Sequence, residues 1–257
     1  MTAEPFVDLM EGDLVLHGRI MPASNATFVG EIDGIRVVYK PVAGERPLWD
    51  FPDGSLAHRE VAAYLVSEAL GWDLVPRTFL RDGPHGRGMV QLWREPDEQQ
   101  AAVTIVPEGA VPPGFRHVFD GVDQHDEPIS LVHEDSPALR RMAAFDVVVN
   151  NADRKGGHVL EMADGHRYGV DHGVTFHTDP KLRTVLRGWA GEPLAVDERA
   201  GLDRLQAALA GDLGELLEEH LSPLEVERTA ARCARLRSEG RFPLPLGDWP
   251  SIPWPPF

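Results

Sequence analysis

The sequence predicts an α+β chain with two lobes, a small one built on an antiparallel sheet plus one helix and a large one that is mostly helical. Two short runs of β-branched residues flank Asp33-Gly34, a dipeptide typical of tight hairpins. A helical pattern follows at residues 56–70, with Ser55 as its predicted N-cap and Gly71 as its predicted end. The periodicity of the last third is helical. We place the boundary at Arg94-Glu95-Pro96, so the predicted domains are residues 1–95 and 96–257.

The small lobe begins with a predicted three-stranded meander over residues 14–20, 27–32 and 35–41. Lys40 ends an apolar strand, and its ammonium either finds a partner or is solvated at the strand end. Glu60 lies in the middle of the predicted helix 56–70. The Glu60 carboxylate is either exposed to solvent, as in most glutamates in the middle of a helix, or it forms an ion pair with Lys40.

A second hairpin completes a predicted five-stranded sheet. Its strands are residues 75–81 and 89–93, and a glycine-rich turn joins them. The next stretch, residues 97–135, is Pro-rich and acidic, and we expect mostly exposed loop there. Short strands are predicted within it at residues 102–106 and 117–119.

The large lobe contains a predicted helix from Ala138 to Val149, with Ser136 as its N-cap. Asp146 interrupts its apolar end, and we expect this carboxylate to hold the following loop through backbone N–H groups. Three more helices are predicted, at residues 197–210, 212–221 and 223–239. The apolar tail, which includes Trp249 and Phe257, either packs on its own domain or docks on a partner.

Composition narrows the function classes. The chain has 257 residues, 42% of them hydrophobic, and a formal charge of −16. That charge repels polyanions, and no Lys/Arg cluster offsets it, so nucleic acid is not an expected partner. No run of 18 apolar residues is found, no secretory leader is expected from the first residues, and Cys233 is the one cysteine. A cytoplasmic location is therefore expected.

The stretch from Asn150 to Leu160 has the strongest chemical signal. A loop that carries Asp153 and His158 follows an apolar helix end, and a later short strand ends on Asp171. Because a tight turn joins the two intervening strands, all three side chains are expected at one mouth. Acids so arranged can orient an attacking hydroxyl and hold a metal on a triphosphate.

These residues resemble a known family. Phe-Asp-Val-Val-Val-Asn-Asn-Ala-Asp-Arg-Lys-Gly-Gly-His at 145–158 resembles the catalytic loop of the phosphatidylinositol 3- and 4-kinase group and of HipA-type kinases. Val170-Asp171-His172-Gly173 resembles the metal-binding Asp-x-Gly. The order of strands, Lys40 and the Glu60 helix resembles the small lobe of the same kinases, and the whole chain is similar to an actinobacterial branch of that group.

The resemblance implies a protein-kinase-like fold that transfers the γ-phosphate of ATP, with Mg²⁺ or Mn²⁺, to a hydroxyl of a protein or small molecule. The catalytic residues it implies are Asp153, which accepts or orients the hydroxyl, Arg154 beside it, and Lys40. Glu60 would position Lys40, and Asp171 and His158 would bind the metal. The remaining nucleotide-binding residues would be Ser24 and Asn25 over the phosphates and Gln91, Leu92 and Trp93 at the adenine.

Two departures from the family pattern keep other functions open. His158 stands where the pattern has asparagine and suits Mn²⁺ or Zn²⁺ better than Mg²⁺, and the phosphate-covering turn has no run of glycines. A nucleotide-binding pseudokinase and AMP transfer on the same fold are the alternatives. A metal-hydrolase centre of His158, His172, His177 and Asp171 is the third. The sequence leaves the oligomeric state open.

Overall fold

The structure, a computed structural model, describes residues 9–21, 25–52, 55–245 and 250–257. The α-helices are α1 (Leu56–Leu70), α2 (Pro137–Val149), α3 (Val196–Leu209), α4 (Asp212–Glu218) and α5 (Pro223–Glu239). The strands are β1 (Leu14–Arg19), β2 (Phe28–Ile32), β3 (Ile35–Pro41), β4 (Thr78–Gly83), β5 (Gly86–Leu92), β6 (Val103–Pro107), β7 (Phe115–Val122), β8 (Pro128–Glu134), β9 (Val159–Glu161) and β10 (Arg167–Gly169).

The first five strands form one antiparallel sheet, in the order β1-β2-β3-β5-β4. Asp33 and Gly34 both have positive φ, as the predicted two-residue hairpin requires. β3 pairs with β5 so that Lys40 lies opposite Met89 and Val38 opposite Gln91. Lys40 and Gln91 therefore share one face of the sheet.

Helix α1 covers the Lys40 face of the sheet, and its two ends are fixed differently. Gly71 ends the helix in the left-handed conformation, as predicted. Ser55 occupies the N-cap position, but its side chain caps nothing. The Glu45 carboxylate instead accepts the Leu56 and Ala57 N–H groups, at 3.1 and 2.8 Å. A distant acid thus takes the role that sequence analysis gave to Ser55.

The short strands predicted at residues 102–106 and 117–119 correspond to β6 and to part of β7, but the expectation of mostly exposed loop over the rest of residues 97–135 is wrong. Strands β6, β8 and β7 form a three-stranded antiparallel sheet in that order. Within it Leu131, Val132 and His133 are buried. The turn between β7 and β8 holds Asp123 and Asp126, and the positive φ of Asp126 shows why acidic residues occupy it.

The remaining helices build the main core. Buried side chains of α1, α2, α3 and α5 pack in one cluster around Phe145 and Trp189. Ser136 caps α2, and a Ser222–Glu225 capping box begins α5, which ends at Gly240. The antiparallel sheets and the separate helices confirm the predicted α+β fold class. Among the described residues, no helix is both long and apolar enough to cross a membrane.

Candidate active site

Lys40 joins three elements at one point. Its Nζ donates to Glu60 Oε1 of α1 at 2.6 Å and to Asp171 Oδ1 at 2.8 Å, just beyond β10. Of the two readings of Lys40 and Glu60, solvated or paired, the structure shows the pair. The ammonium side chain is 19% exposed, and Asp171 is half-exposed. A cation is thus held between a buried acid and one that faces solvent.

Glu60 is buried and connects α1 to the segment after β10. Its second oxygen, Oε2, accepts the His172 backbone N–H at 2.9 Å. Burial raises the pKa of the Glu60 carboxyl, and the Lys40 ammonium opposes that rise. Because one carboxylate binds both Lys40 and His172, it fixes where Lys40 meets Asp171.

The charges of Lys40 and Asp171 stabilise each other. Burial lowers the pKa of the Lys40 ammonium, but Asp171 and Glu60 outweigh it and raise that pKa above its ordinary value. The Lys40 ammonium likewise holds the pKa of the Asp171 carboxyl well below its usual range. The Lys40 ammonium and the Asp171 carboxylate are therefore both ionised at neutral pH. The backbone of Asp171 has φ 61°, a conformation that few residues other than Gly, Asp and Asn adopt readily.

A second ion pair, Asp146–Arg154, holds the loop that follows α2. Both side chains are fully buried, and the closest contact is 2.9 Å. Asn151 Nδ2 and Thr184 Oγ1 also donate to the Asp146 carboxylate, each at 3.0 Å. The expectation that Asp146 holds the loop through backbone N–H groups is therefore wrong, because its partners are side chains.

Arg154 does not lie where a catalytic residue must lie. Its guanidinium donates to Asp146, to the carbonyls of His158 and Val170, and to His172 Nε2. With no exposed side-chain surface, it cannot reach a substrate. The structure thus corrects the predicted catalytic role, because Arg154 is a positioning residue that joins the loop to the segment around Asp171.

Asp153 is the acid at the exposed side of this loop. Its N–H donates to Asn151 Oδ1 at 3.0 Å, and its side chain is 30% exposed. Lys155 Nζ lies 3.8 Å from Oδ2, and Arg183 Nη2 lies 3.5 Å from Oδ1. Partial burial raises the pKa of the Asp153 carboxyl. A carboxylate of raised pKa is a better proton acceptor than an ordinary one.

His158 faces Asp171 across the mouth. Its Nδ1 lies 3.0 Å from the Asp153 carbonyl oxygen, which can only accept, so Nδ1 carries the proton. Burial lowers the pKa of His158, so the ring is neutral and its lone pair is on Nε2. That Nε2 lies 3.4 Å from Asp171 Oδ2. Two acceptors thus face each other, which is a suitable arrangement for a cation between them.

The donor set fits a metal that a nucleotide also binds. Among the described residues, no group of three or more His, Cys, Asp or Glu side chains could hold a metal by itself. Mg²⁺ commonly takes one or two protein ligands and completes its shell with phosphate and water. Asp171 and His158 supply such a pair, and the imidazole favours Mn²⁺.

The histidines of the metal-hydrolase reading do not converge with His158. His172 is buried, and its Nε2 is 2.7 Å from Arg154 Nη2, which donates. His177 Nδ1 accepts the Asp179 N–H at 2.9 Å, and its Nε2 lies 3.0 Å from the Asp50 carbonyl. Both rings are therefore engaged in contacts within the protein.

The other predicted nucleotide-binding residues have mixed outcomes. Ser24 lies outside the described residues, and the Asn25 amide oxygen accepts the Arg46 N–H at 2.8 Å. Gln91 is buried and donates to Thr78 Oγ1. The N–H groups of Leu92 and Trp93 donate to the carbonyls of Arg77 and Arg36 at 2.9 and 3.0 Å. Adenine could not take those two N–H groups without breaking these contacts.

Sequence analysis missed Arg183 and the C-terminal segment as parts of the site. Arg183 lies in a stretch without helical periodicity. The one available signal was the order Lys181-Leu182-Arg183, in which basic and apolar residues alternate as they do in extended backbone. The described part of the tail packs on the chain itself, and Trp249 lies outside it. The Pro256 carbonyl accepts the Gly156 N–H at 2.8 Å, and the Phe257 ring covers Gly156.

The chain is similar to known proteins in its structure and in its sequence. No family model matches the chain. A crystal structure of the Helicobacter pylori proinflammatory kinase CtkA is similar with a TM-score of 0.45 and 11% identity, over 92% of this chain and 95% of that one. Protein Rv2133c of Mycobacterium tuberculosis (strain ATCC 25618 / H37Rv) is 47% identical over 262 residues, 97% of this chain and 94% of the relative. This chain therefore belongs to the family that includes protein Rv2133c.

Proposed function

We propose that this protein is an ATP-dependent phosphotransferase of the phosphatidylinositol 3-/4-kinase-like and HipA-like group, and that it transfers the γ-phosphate to a hydroxyl of a protein or small molecule. The observation that carries the proposal is the contact of Lys40 Nζ with both Glu60 and Asp171. Kinases use a lysine held by a helix glutamate to bind ATP phosphates beside a metal-binding acid.

The phosphates would bind between Lys40 and the pair Asp171–His158. Phosphate oxygens replace Asp171 as the second partner of the Lys40 ammonium, while Glu60 keeps its position. A bound Mg²⁺ or Mn²⁺ would offset the charge that develops on the transferred group. Freed from Lys40, Asp171 can turn both oxygens toward that cation.

Asp153 would handle the proton of the acceptor. The acceptor hydroxyl oxygen forms a bond to the γ-phosphorus while the bond from that phosphorus to the β-bridging oxygen breaks. The hydroxyl proton passes to Asp153, and ADP is released. The raised pKa of Asp153 suits it to receive this proton. Arg154 fixes the loop through Asp146 and does not touch the acceptor.

Binding and transfer are tested separately. Thermal-shift titration with ATP and Mg²⁺ or Mn²⁺ should raise the midpoint of the parent but not of Asp171→Asn. Cell extract incubated with ATP labelled at the γ position should acquire label with the parent. Asp153→Asn should bind ATP as the parent does and label at least 100-fold less. Asp164→Asn, in the exposed β9–β10 turn, is the matched control and should behave like the parent.

The outcomes separate the alternatives. Equal labelling by Asp153→Asn and the parent contradicts the catalytic assignment. ATP binding without any labelling identifies a pseudokinase. Label carried over from the α position identifies AMP transfer. The absence of ATP binding with either cation would remove the proposal altogether.

A further inference from the structure

We propose that the acceptor carries an anionic group next to its reactive hydroxyl, and that Lys155 and Arg183 bind this group. The inference rests on the proposed function and names the substrate class of the same site. The acceptor would be a hydroxy acid or a phosphorylated alcohol, whose carboxylate or phosphate is the shared chemistry. A neutral hydroxyl compound would lack the group that these two cations recognise.

The backbone of Arg183 is fixed against the loop that carries Asp153. The Arg183 N–H donates to the Asn151 carbonyl at 2.8 Å, and the Arg183 carbonyl accepts the Arg154 N–H at 3.0 Å. The side chain therefore starts beside the loop. Its Nη2 ends 3.5 Å from Asp153 Oδ1, at the outer limit of a hydrogen bond.

The Arg183 guanidinium has unused hydrogen-bonding capacity. Its Nε is buried and has no hydrogen-bond partner among the described residues. A buried donor without a partner is costly. The Arg183 side chain is 28% exposed, so a rotation of its guanidinium would bring the Nε/Nη edge to two oxygens of one carboxylate or phosphate. The Arg154 guanidinium shows the contrast, because its Nε, Nη1 and Nη2 all donate to acceptors in the protein.

Lys155 adds a second cation to the same place. Its Nζ lies 3.8 Å from Asp153 Oδ2, close enough for an ion pair but too far for a good hydrogen bond. Asp153, Lys155 and Arg183 together carry one excess positive charge, on a chain whose formal charge is −16. A local positive site on an acidic protein selects anions at that site.

Binding of the anion would also prepare Asp153. In the structure the carboxylate has a cation near each oxygen. An anionic group on the acceptor draws both cations toward itself and leaves the Asp153 oxygens open to the neighbouring hydroxyl. Recognition of the acceptor and exposure of the base would then be one event. Water, which carries no such group, would be a poor competitor for the γ-phosphate.

The test measures anion binding directly. The parent is saturated with the nucleotide analogue AMP-PNP and Mn²⁺, so that the γ-phosphate position is filled. It is then titrated calorimetrically with inorganic phosphate and, separately, with malonate. Saturable binding of at least one anion is expected, and the stronger one tells whether phosphate or carboxylate is the better match. Arg183→Gln and Lys155→Gln should each weaken it at least fivefold, and Arg183→Lys should weaken it less than Arg183→Gln.

Arg241→Gln is the control, because Arg241 donates to the Gly191 carbonyl and belongs to no part of the site. It should leave anion affinity unchanged, and thermal unfolding should show that every variant is folded. The proposal is overturned if neither anion binds saturably at concentrations up to 20-fold above a typical millimolar Kd. Equal affinity in the parent and in Arg183→Gln also overturns it. If AMP-PNP itself does not bind, the proposed function fails. In that case the anion titration is repeated without nucleotide on Lys40→Met. Because this variant lacks the Lys40 ammonium, any anion binding that remains is due to Lys155 and Arg183.

Discussion

Two charged clusters lie close together, and they differ in how completely their partners satisfy them. Arg154 is buried, and Asp146, two carbonyls and His172 take its donors. Lys40 lies between Glu60 and a half-exposed Asp171, so one of its partners faces solvent. The first cluster has no exposed group for a ligand, whereas in the proposed function the second would exchange a carboxylate for phosphate. The comparison indicates that a fully paired and buried charge cluster supports the structure around a site, whereas a partly exposed cluster has groups that a ligand can reach.

Arg154→Met should give the largest effect on stability. The substitution leaves Asp146 buried without its cation, which costs about 3–5 kcal/mol of unfolding free energy. Urea unfolding at neutral pH measures it. The control is Arg235→Met, in the exposed Arg235–Glu239 pair, which should change stability by less than about 1 kcal/mol. A similar loss in both variants would erase the distinction between the two kinds of pair.

Lys40→Met should affect function more than stability. Transfer of labelled phosphate should fall about 10²–10³-fold, because the phosphates lose their charged partner. The loss of unfolding free energy should be smaller than for Arg154→Met, because Asp171 reaches solvent and the buried Glu60, whose pKa burial already raises, can take up a proton once Lys40 is gone. Paired urea-unfolding and transfer measurements on the two variants check this order. The opposite order would show that the Lys40 cluster is the structural one.

His133 is a third buried polar group, and unlike Arg154 and Lys40 it is neutral. Its Nδ1 donates to the Glu134 carbonyl, and its Nε2 accepts the Gly188 N–H at 3.0 Å. Burial lowers the pKa of His133 to about 4. The unfolded chain takes up the proton below about pH 6.5, so stability falls as pH drops from there to about 4.

The share of that loss due to His133 should total about 3 kcal/mol, and His133→Gln should reduce the slope between pH 6.5 and pH 4 by this share, while His172 and His158, whose pKa values burial also lowers, keep the remainder. Unfolding free energies at half-unit pH steps measure it. His125→Gln, in the exposed turn between β7 and β8, should keep the slope of the parent. An unchanged slope in His133→Gln would mean that other groups cause the acid sensitivity.

Gly156→Ala should give the smallest effect, confined to the tail. A Cβ at Gly156 meets the Phe257 ring, whereas a Cβ at Gly157 has no atom within 4 Å. Overpacking of this kind costs about 1–3 kcal/mol, which displacement of Phe257 can relieve. Limited proteolysis should cut residues 250–257 faster in Gly156→Ala than in the parent or Gly157→Ala. Equal cutting of all three would show that the ring moves aside without undocking.

Local patterns predicted the strand that carries Lys40 and the helix that carries Glu60, but they left both side chains either solvated or paired, and only the family resemblance implied the pair that the structure shows. The Asp33-Gly34 turn sets the register of β3, and helical periodicity with Gly71 sets α1. Near Asp171 the order of the motifs was also sufficient, since two short strands and a turn bring it to His158. The roles assigned to these residues remain predictions, as does the domain boundary at residues 95–96.

The parts that could not be predicted depend on distant partners. Asp146 had the signal of a buried acid, but its partner Arg154 looked catalytic because the motif alone does not show which way a guanidinium points. Only residues 117–119 of strand β7 were predicted, because no face of it is consistently apolar, and strand β8 was not predicted at all. Arg183 joined the site only through backbone contacts with Asn151 and Arg154, which no local pattern encodes.

The contact between Pro256 and Gly156 has a consequence for biosynthesis. The loop that carries Asp153 is translated well before residues 251–257, yet the carbonyl that holds its Gly156 N–H comes from that later stretch. Domains begin to fold while translation proceeds. The loop of a nascent chain would therefore lack this support until that later stretch has emerged. Under the proposed function, phosphoryl transfer would begin only after that stretch has been made.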